Sequence, residues 1–280
     1  MDPVVFTVTL FVLLAASWQD IRTREVADTL TYGLLVFGIA YGAAKAALES
    51  SWIPLWQMLL GLGIMLVLGL FLYRTGQWGG ADTKLLMGLG ALLGLGFGSL
   101  DLVFFLILAL FAGAGYGILS MLVLMFKNWK KFRPAFVTLL RKPGVHRLRY
   151  VVLGTCFLLV ILVLVLKGPK RVLLVFLLFL IYGLFYLWLA VKAVEQGILI
   201  RWYKVEELTE GDWIQKDVVV KGKRVCGPKD LGISPQQIAK LKRLKVRKVL
   251  VKEGIPFVPS FLLGLVLLWL FAPMLYAWLP

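Results

Sequence analysis

Two aspartates stand beside long apolar runs, where an ionisable side chain is costly unless it has a role. Asp20 ends the first apolar run, and Asp82 follows Gly79-Gly80-Ala81 and opens a later one. Acids at such positions are functional candidates because burying a carboxylate is unfavourable. Two carboxylates that face each other cannot both ionise easily, so they share one proton. One then takes a proton from water while the other donates to a carbonyl oxygen, which is aspartic-protease chemistry without metal or cofactor.

The residues around Asp82 suit a carboxylate at the start of a helix. Gly79 and Gly80 allow the backbone to bend and to pass close to another segment. Free N–H groups at a helix N-terminus stabilise an anion, and Lys84 adds a nearby cation. A purely structural interpretation also fits, with Asp82 as an ordinary first-turn residue and Asp20 as an acid at the membrane interface.

The elements that must position these acids are membrane helices. Hydrophobic residues make up 60% of the 280-residue chain, and its mean hydropathy is +0.88, whereas soluble domains are about half apolar. Apolar runs of about 20 residues can cross a bilayer. The sequence therefore predicts an all-α polytopic membrane protein with about six to eight transmembrane helices. The eight candidate spans are 4–18, 30–48, 54–73, 83–98, 102–126, 150–166, 172–191 and 256–279.

The charge distribution predicts how these spans are oriented. The formal net charge is +16, and basic residues in membrane proteins collect in cytoplasmic loops. With the N-terminus outside, the basic segments 20–28, 127–149 and 200–254 all lie in the cytoplasm. Asp20 and Asp82 then share the cytoplasmic edge. The loop at 167–171, with three basic residues on the outer side, is the exception to this arrangement.

The same basic residues bear on the expected partners. No basic stretch alternates with exposed aromatic residues as in single-strand binders, so nucleic acid is not an expected partner. The basic run that begins at Lys127 is instead expected to face anionic membrane lipid. His146, Cys156 and Cys226 are too few and too scattered for a metal site, and no metal or other cofactor is expected. The N-terminal apolar run lacks a basic start and is interpreted as a retained helix.

The chain divides into five predicted parts. Residues 1–126 form a transmembrane catalytic core with both aspartates, and 127–149 form a basic cytoplasmic loop. A transmembrane hairpin (150–200), a small cytoplasmic α+β domain (201–254) and a C-terminal transmembrane helix (255–280) follow. In the small domain, alternation around Lys221-Gly222 predicts a hairpin, and Ser234-Pro235 predicts a helix start.

Two motifs carry a family resemblance. "GGADTKLL" ends its glycine-rich lead in Asp82, and in "SWQDIRTREVAD" Asp20 is followed by Arg24-Glu25-Val26 and Asp28. Together they resemble the GxGD-type aspartyl proteases of membranes, in particular the archaeal prepilin and preflagellin peptidases of the type IV prepilin peptidase family. Ala81 stands where the motif has its second glycine. The resemblance covers residues 4–98 and, in the C-terminal stretch, 205–265, but not 127–191.

The resemblance implies an activity and roles for single residues. It implies that Asp20 and Asp82 are the catalytic pair of an aspartic endopeptidase in the cell membrane. The substrates would be prepilin- or preflagellin-type precursors, cut at the cytoplasmic face after a short basic leader. The cysteine tetrad of the bacterial methylating relatives is missing, so no methyltransferase activity is expected. The supporting and substrate-binding candidates are Gly79, Gly80, Ala81, Lys84, Arg24, Glu25, Asp28, Pro256 and Pro259.

Several of these residues have ordinary interpretations, and two other functions stay open. Arg24, Glu25 and Asp28 also fit a solvated charged turn. Pro256 and Pro259 either lay an extended strand beside a substrate or simply begin a helix. A proton- or ion-coupled transporter that uses both aspartates is the main alternative, although a transporter should show repeated halves and acids at the midplane. A non-catalytic membrane assembly subunit is the third hypothesis.

Overall fold

Helices dominate the computed structural model, which describes residues 1–96 and 100–277. Its ten described helices are α1 (Pro3–Thr23), α2 (Asp28–Leu48), α3 (Ile53–Arg74), α4 (Gly80–Leu93), α5 (Asp101–Lys127), α6 (Trp129–Arg141), α7 (Pro143–Val165), α8 (Lys170–Val194), α9 (Pro235–Arg243) and α10 (Val258–Ala277). The described strands are β1 (Ile200–Lys204), β2 (Trp213–Ile214), β3 (Val218–Val220), β4 (Lys223–Cys226) and β5 (Lys248–Lys252).

Seven of the described helices are long and apolar enough to cross a membrane: α1, α2, α3, α5, α7, α8 and α10. For α8 the apolar helical stretch continues through a π-helical turn, Glu195–Leu199. The chain is thus a multi-pass, mostly α-helical membrane protein with a small sheet region before its last helix. This result confirms the predicted fold class.

The helix in the fourth predicted span, 83–98, is shorter than the other membrane helices, although the segment runs from the end of α3, where Thr83 bonds to Gly69, to its start, where Leu95 bonds to Gln57. Helix α4 has 14 residues and is about 21 Å long at 1.5 Å per residue, whereas the hydrocarbon core is about 30 Å thick. The last part of the predicted span, 97–98, lies outside the described residues. Most side chains of α4 are buried between α2 and α3, so its apolar residues face protein rather than lipid.

Small residues allow α3 and α4 to approach closely. A Cβ atom on Gly61 would lie 2.2 Å from the carbonyl oxygen of Gly90, and one on Gly69 would lie 2.8 Å from the side chain of Thr83. A larger residue at Gly61 would have to move the backbone of α4, and one at Gly69 would have to move the Thr83 side chain. The tight contact fixes the start of α4, which carries Asp82, against the end of α3.

The first and last membrane helices share one core. Leu13 of α1, Leu85 of α4, Phe105 of α5 and Phe261 of α10 are fully buried in a single apolar cluster. Helix α10 packs along both α1 and α5. The N-terminal ends of α4 and α10 therefore meet the C-terminal end of α1, and we call this region, defined by Asp20, Asp82 and Val258, the dyad end of the bundle.

The polar segment before α10 forms two small sheets and a helix. β1, β5 and β2 form an antiparallel sheet in that order, and β3 pairs with β4 as the predicted hairpin. Lys221 and Gly222 make the hairpin turn with positive φ values of 50° and 76°. The helix predicted from Ser234 is α9, whose first turn the Ser234 hydroxyl caps. The prediction omitted β1 and β2.

The basic segment 127–149 differs from the predicted loop. It contains α6 and the first turns of α7. Phe132 and Leu139 of α6 are buried in an apolar cluster with Leu189 and Ala193 of α8. The basic side chains of α6 are exposed. Apolar residues at helical spacing thus fold the segment against α8, even though its many charges suggest a loop.

Candidate active site

Asp20 lies in the last turn of α1, and only 7% of its surface is exposed. The helix ends because Arg24 adopts a left-handed conformation with φ of 59° and donates its backbone N–H to the Asp20 carbonyl oxygen at 2.9 Å. Oδ2 of the Asp20 carboxylate accepts a 2.9 Å hydrogen bond from the backbone N–H of Val258. The first residue of α10 thus holds the carboxylate in place.

Asp82 lies in the first turn of α4, as the glycine-rich lead predicts. Its Oδ2 accepts a 2.9 Å hydrogen bond from the backbone N–H of Gly79, the residue that caps the helix. The next residue, Thr83, donates its hydroxyl to the carbonyl oxygens of Gly69 and Gly79, each at 3.2 Å. Ala81 lies inside α4, where helical backbone suits alanine at least as well as glycine.

The structure brings the two aspartates together. Helices α1 and α4 are in contact, and the charge of Asp20 acts on the carboxylate of Asp82. In residues 1–96 and 100–277, neither carboxylate donates to or accepts from the other, and each is held by a backbone N–H. Two neighbouring carboxylates on different helices can share a bound water or a substrate carbonyl between them.

The proline motif beside Asp20 begins a helix. Pro259 is the second residue of α10, and Pro256 lies in the preceding loop. The helix-start interpretation is thus confirmed for Pro259. Between the prolines, Phe257 packs on Trp78 of the glycine-rich loop, with ring centroids 5.1 Å apart. Phe261 adds a second contact to Trp78 at 5.4 Å.

Lys84 and Asp28 pair with each other rather than with the aspartate dyad. Nζ of Lys84 lies 2.5 Å from Oδ1 of Asp28 and 4.6 Å from the centre of the Tyr32 ring. The nearby cation expected for Asp82 is therefore already neutralised. This ion pair instead ties the start of α2 to the first turn of α4.

Arg24 has a partner that the sequence interpretation missed. Its guanidinium makes an ion pair with Glu253, the residue directly after β5. Glu253 also accepts from the hydroxyl of Tyr203 and lies 3.6 Å from Arg201. Burial alone would raise the pKa of Glu253, but the Tyr203 hydrogen bond and the Arg24 charge outweigh it and hold that pKa below its ordinary value of 4.5. The only sequence feature that could have pointed to Glu253 is its position as an acid directly before the "GIPFVPSF" run.

The small domain also rests on the loop that leads to Asp82. The Trp213 ring lies so close to Gly76 that a Cβ atom there would approach it to 2.6 Å, and Gly76 has φ of 70°. The hydroxyl of Tyr73 donates to the carbonyl oxygen of Leu231 at 3.2 Å. Together with the Arg24–Glu253 pair, these contacts place the domain over the dyad end.

Acidic residues lie close together between the small domain and the membrane core. Burial raises the pKa of Asp212, and the neighbouring charges of Glu25 and Glu253 raise it further. Glu25 itself is exposed. Across the described parts of the chain, no three His, Cys, Asp or Glu side chains converge to hold a metal ion.

Comparisons with known proteins match the part of the chain that carries both aspartates. Residues 7–118 match the model of the type IV leader peptidase family. The preflagellin peptidases of Methanocaldococcus jannaschii and Methanococcus voltae are 34% and 32% identical over 88 and 90 residues. The prepilin peptidase EppA of Methanothermobacter thermautotrophicus is 31% identical over 87 residues. These findings confirm the predicted resemblance over this segment.

The similarity is limited in extent. The three alignments cover 31%, 32% and 31% of this chain, and 37%, 38% and 22% of the respective relatives. The chain thus spans well under half the length of the curated relatives it matches. The resemblance noted for residues 205–265 lies outside the family match. No solved structure matches the chain.

Proposed function

We propose, from the match of residues 7–118 to the type IV leader peptidase family, that this chain is an aspartic endopeptidase of the membrane. The observation that carries the proposal is the placement of Asp20 and Asp82 on separate helices at one end of the bundle, where their charges interact. The precursors of preflagellin or prepilin type are the proposed substrates, because the relatives are named for them.

The two carboxylates act as a unit that holds one proton. The ionised carboxylate takes a proton from water while the water oxygen bonds to the scissile carbonyl carbon. The protonated carboxylate gives its proton to the carbonyl oxygen, which forms a tetrahedral intermediate. When the C–N bond breaks, the proton held since the first step passes to the leaving nitrogen. As the C=O bond of the product re-forms, a hydroxyl group of the intermediate gives its proton to the other carboxylate, so the pair again holds one proton.

The backbone supplies the rigidity that this chemistry needs. The N–H groups of Val258 and Gly79 hold one oxygen of each carboxylate, so neither side chain is free to rotate away. Both N–H groups belong to helix N-termini, whose partial positive charge stabilises the single negative charge of the pair. Because the carboxylates are already held in position, less entropy is lost when water, substrate and the two acids come together, which lowers the activation barrier.

The acidic surface beside the dyad end fits a basic leader. The exposed Glu25 lies close enough to Asp212 for their charges to interact, and opposite charge steers a substrate and fixes its register. The Lys and Arg residues near the spans support a cytoplasmic position for this end, since basic residues favour the cytoplasmic side. The leader would approach from the cytoplasm while the hydrophobic segment of the precursor stays in the membrane.

Methyltransferase activity is not part of the proposal. The chain has two cysteines, and they lie in different elements: Cys156 is in α7 and Cys226 ends β4. The sequence also lacks a glycine-rich cofactor loop after a strand. The proposed product is therefore a processed precursor with an unmodified N-terminus.

Mass analysis of the reaction product tests the proposed function. Membranes that contain the chain would be incubated with a tagged preflagellin or prepilin and with the same precursor whose leader lysines and arginines are replaced by glutamine. The expected result is one cut, directly before the hydrophobic segment, with an unmethylated new N-terminus and at least about tenfold slower cleavage of the glutamine precursor. Intact precursor at all times would refute the activity, and equal cleavage of both precursors would refute the acidic leader site.

A further inference from the structure

A cavity lies between α6 and the start of α7, far along the chain from the aspartates. Its volume is about 340 Å³, and it is open on one side. Two arginines, a histidine and two apolar side chains line it: Arg141, Arg149, His146, Val137 and Leu140. No acid is among these residues. The cavity thus combines concentrated positive charge with an apolar wall.

The arginines of this cavity have no anionic partner within the part of the chain that the structure describes. Nε of Arg149 is buried and has no hydrogen-bond partner there. Segment 127–149 contains eight Lys and Arg residues and no acid. In the π-helical turn after α8, Glu195 already pairs with Lys192 and Lys252, at 2.8 and 2.5 Å. Because the described residues supply no counter-charge for Arg149, the cavity is suited to an anion from another molecule.

The position of the cavity relative to the membrane indicates which molecule supplies this anion. Arg149 directly precedes the apolar part of α7, whose side chains are largely exposed on the protein surface and face lipid. Tyr150, which is 64% exposed, marks the interface. Helix α6 lies against α8 with Phe132 and Leu139 buried. An arginine at this level is within reach of the phosphates of the surrounding lipids.

We propose that this cavity is a binding site for the headgroup of one anionic glycerophospholipid. A guanidinium binds two phosphate oxygens at once, so Arg149 binds the phosphate through its outer N–H groups and the exposed Arg141 adds a second positive charge beside it. Val137 and Leu140 contact the glycerol and the first methylenes of the chains. The bound lipid adds a link between α6 and the start of α7, in addition to the packing of α6 on α8. The α7–α8 hairpin itself has few contacts with helices α1 to α5.

Thermal unfolding of the full chain in detergent tests this site. Phosphatidylglycerol, phosphatidylcholine and inorganic phosphate would be added separately to the wild type, Arg149→Gln and Arg141→Gln. The matched control is Arg133→Gln, which removes a charge from an exposed position of the same basic segment outside the cavity. Phosphatidylglycerol is expected to raise the unfolding midpoint of the wild type and the control by at least about 5 °C at saturation.

The variants and the other additives separate the possible outcomes. Arg149→Gln and Arg141→Gln should each lose at least about half of the shift. Arg141 is exposed, so its variant is informative even if Arg149→Gln does not fold. An equal shift in both cavity variants and the control would overturn the site. An equal effect of inorganic phosphate would identify a free-phosphate site instead, and an equal effect of phosphatidylcholine would overturn the selectivity for anionic lipid.

Discussion

The backbone N–H of Val258 donates a 2.9 Å hydrogen bond to the carboxylate of Asp20, across 238 positions of sequence. The same carboxylate that is proposed for catalysis therefore caps the first turn of α10. Pro259, the next residue, has no N–H to offer, so Val258 supplies the donor at this helix end. The first and last membrane helices are thus joined at the reacting group.

The two roles of Asp20 can be separated by substitution. Asp20→Asn and Asp20→Ala should both abolish cleavage, because neither side chain holds the shared proton. Only Asp20→Ala leaves the Val258 N–H unpaired in a buried place, which costs about 1–3 kcal/mol. Thermal unfolding in detergent should therefore show a midpoint several degrees lower for Asp20→Ala than for Asp20→Asn. Equal midpoints would show that the hydrogen bond contributes nothing.

Glu253 is expected to hold the small domain over the dyad end. Glu253→Gln removes the charge that pairs with Arg24 and weakens the hydrogen bond from Tyr203, which should cost about 1–3 kcal/mol. Limited proteolysis should then cut the segment 200–254 faster than in the wild type. Glu207→Gln, in an exposed pair with Lys204, is the matched control and should be cut at the wild-type rate. Equal rates for Glu253→Gln and the control would show that Glu253 does not hold the small domain in place.

The same ion pair should make stability depend on pH. The pKa of Glu253 is lowered by folding, so its stabilising contribution is present above the ordinary value of 4.5 and is lost as the pH falls through the lower, folded value. The midpoint difference between the wild type and Glu253→Gln should accordingly be largest near pH 7 and shrink below about pH 4. A difference that stays constant over this range would assign the effect to packing instead.

Gly76 is expected to be intolerant of a side chain. Its φ of 70° costs other residues about 1–2 kcal/mol, and a Cβ atom would meet the Trp213 ring at 2.6 Å. Gly76→Ala should therefore displace the small domain and expose the Trp213 ring. The tryptophan fluorescence of the variant should then shift toward that of exposed indole. Gly33→Ala is the control, because nothing lies within 4 Å of its Cβ position. An unchanged spectrum and unchanged cleavage for Gly76→Ala would contradict the contact.

The sequence was sufficient for features that depend on local pattern. Asp20 and Asp82 stood out because each is an acid at the edge of an apolar run, and the hairpin around Gly222 followed from alternation and turn chemistry. The burial of α4 between other helices could not be predicted, since a helix that faces lipid and a helix that faces protein both have apolar side chains. Its close glycine contacts become meaningful only once α3 lies beside it.

Long-range partners account for most of what the sequence left out. Glu253 and Arg24 are 229 positions apart, and no pattern in either segment links them. The predicted proximity of Lys84 to Asp82 failed because Asp28, on another helix, competes for the same cation. The helical state of α6 was missed because its density of charge and Pro134 both suggest a loop.

Leader processing by paired asparagine variants tests the central claim most directly. A tagged precursor would be incubated with membranes that carry the wild type, Asp20→Asn, Asp82→Asn or the double variant, and the cleaved fraction would be read as a mobility shift over time. Glu49→Gln, an exposed acid at the far end of α2, is the matched control for loss of a carboxylate and should cleave at the wild-type rate.

If the two carboxylates work as one unit, each single variant should lose at least about a thousandfold in rate, and the double variant should be no slower than either. Processing that survives in either single variant, at a level of protein in the membrane equal to the wild type, would contradict the dyad and leave the two aspartates with a structural role.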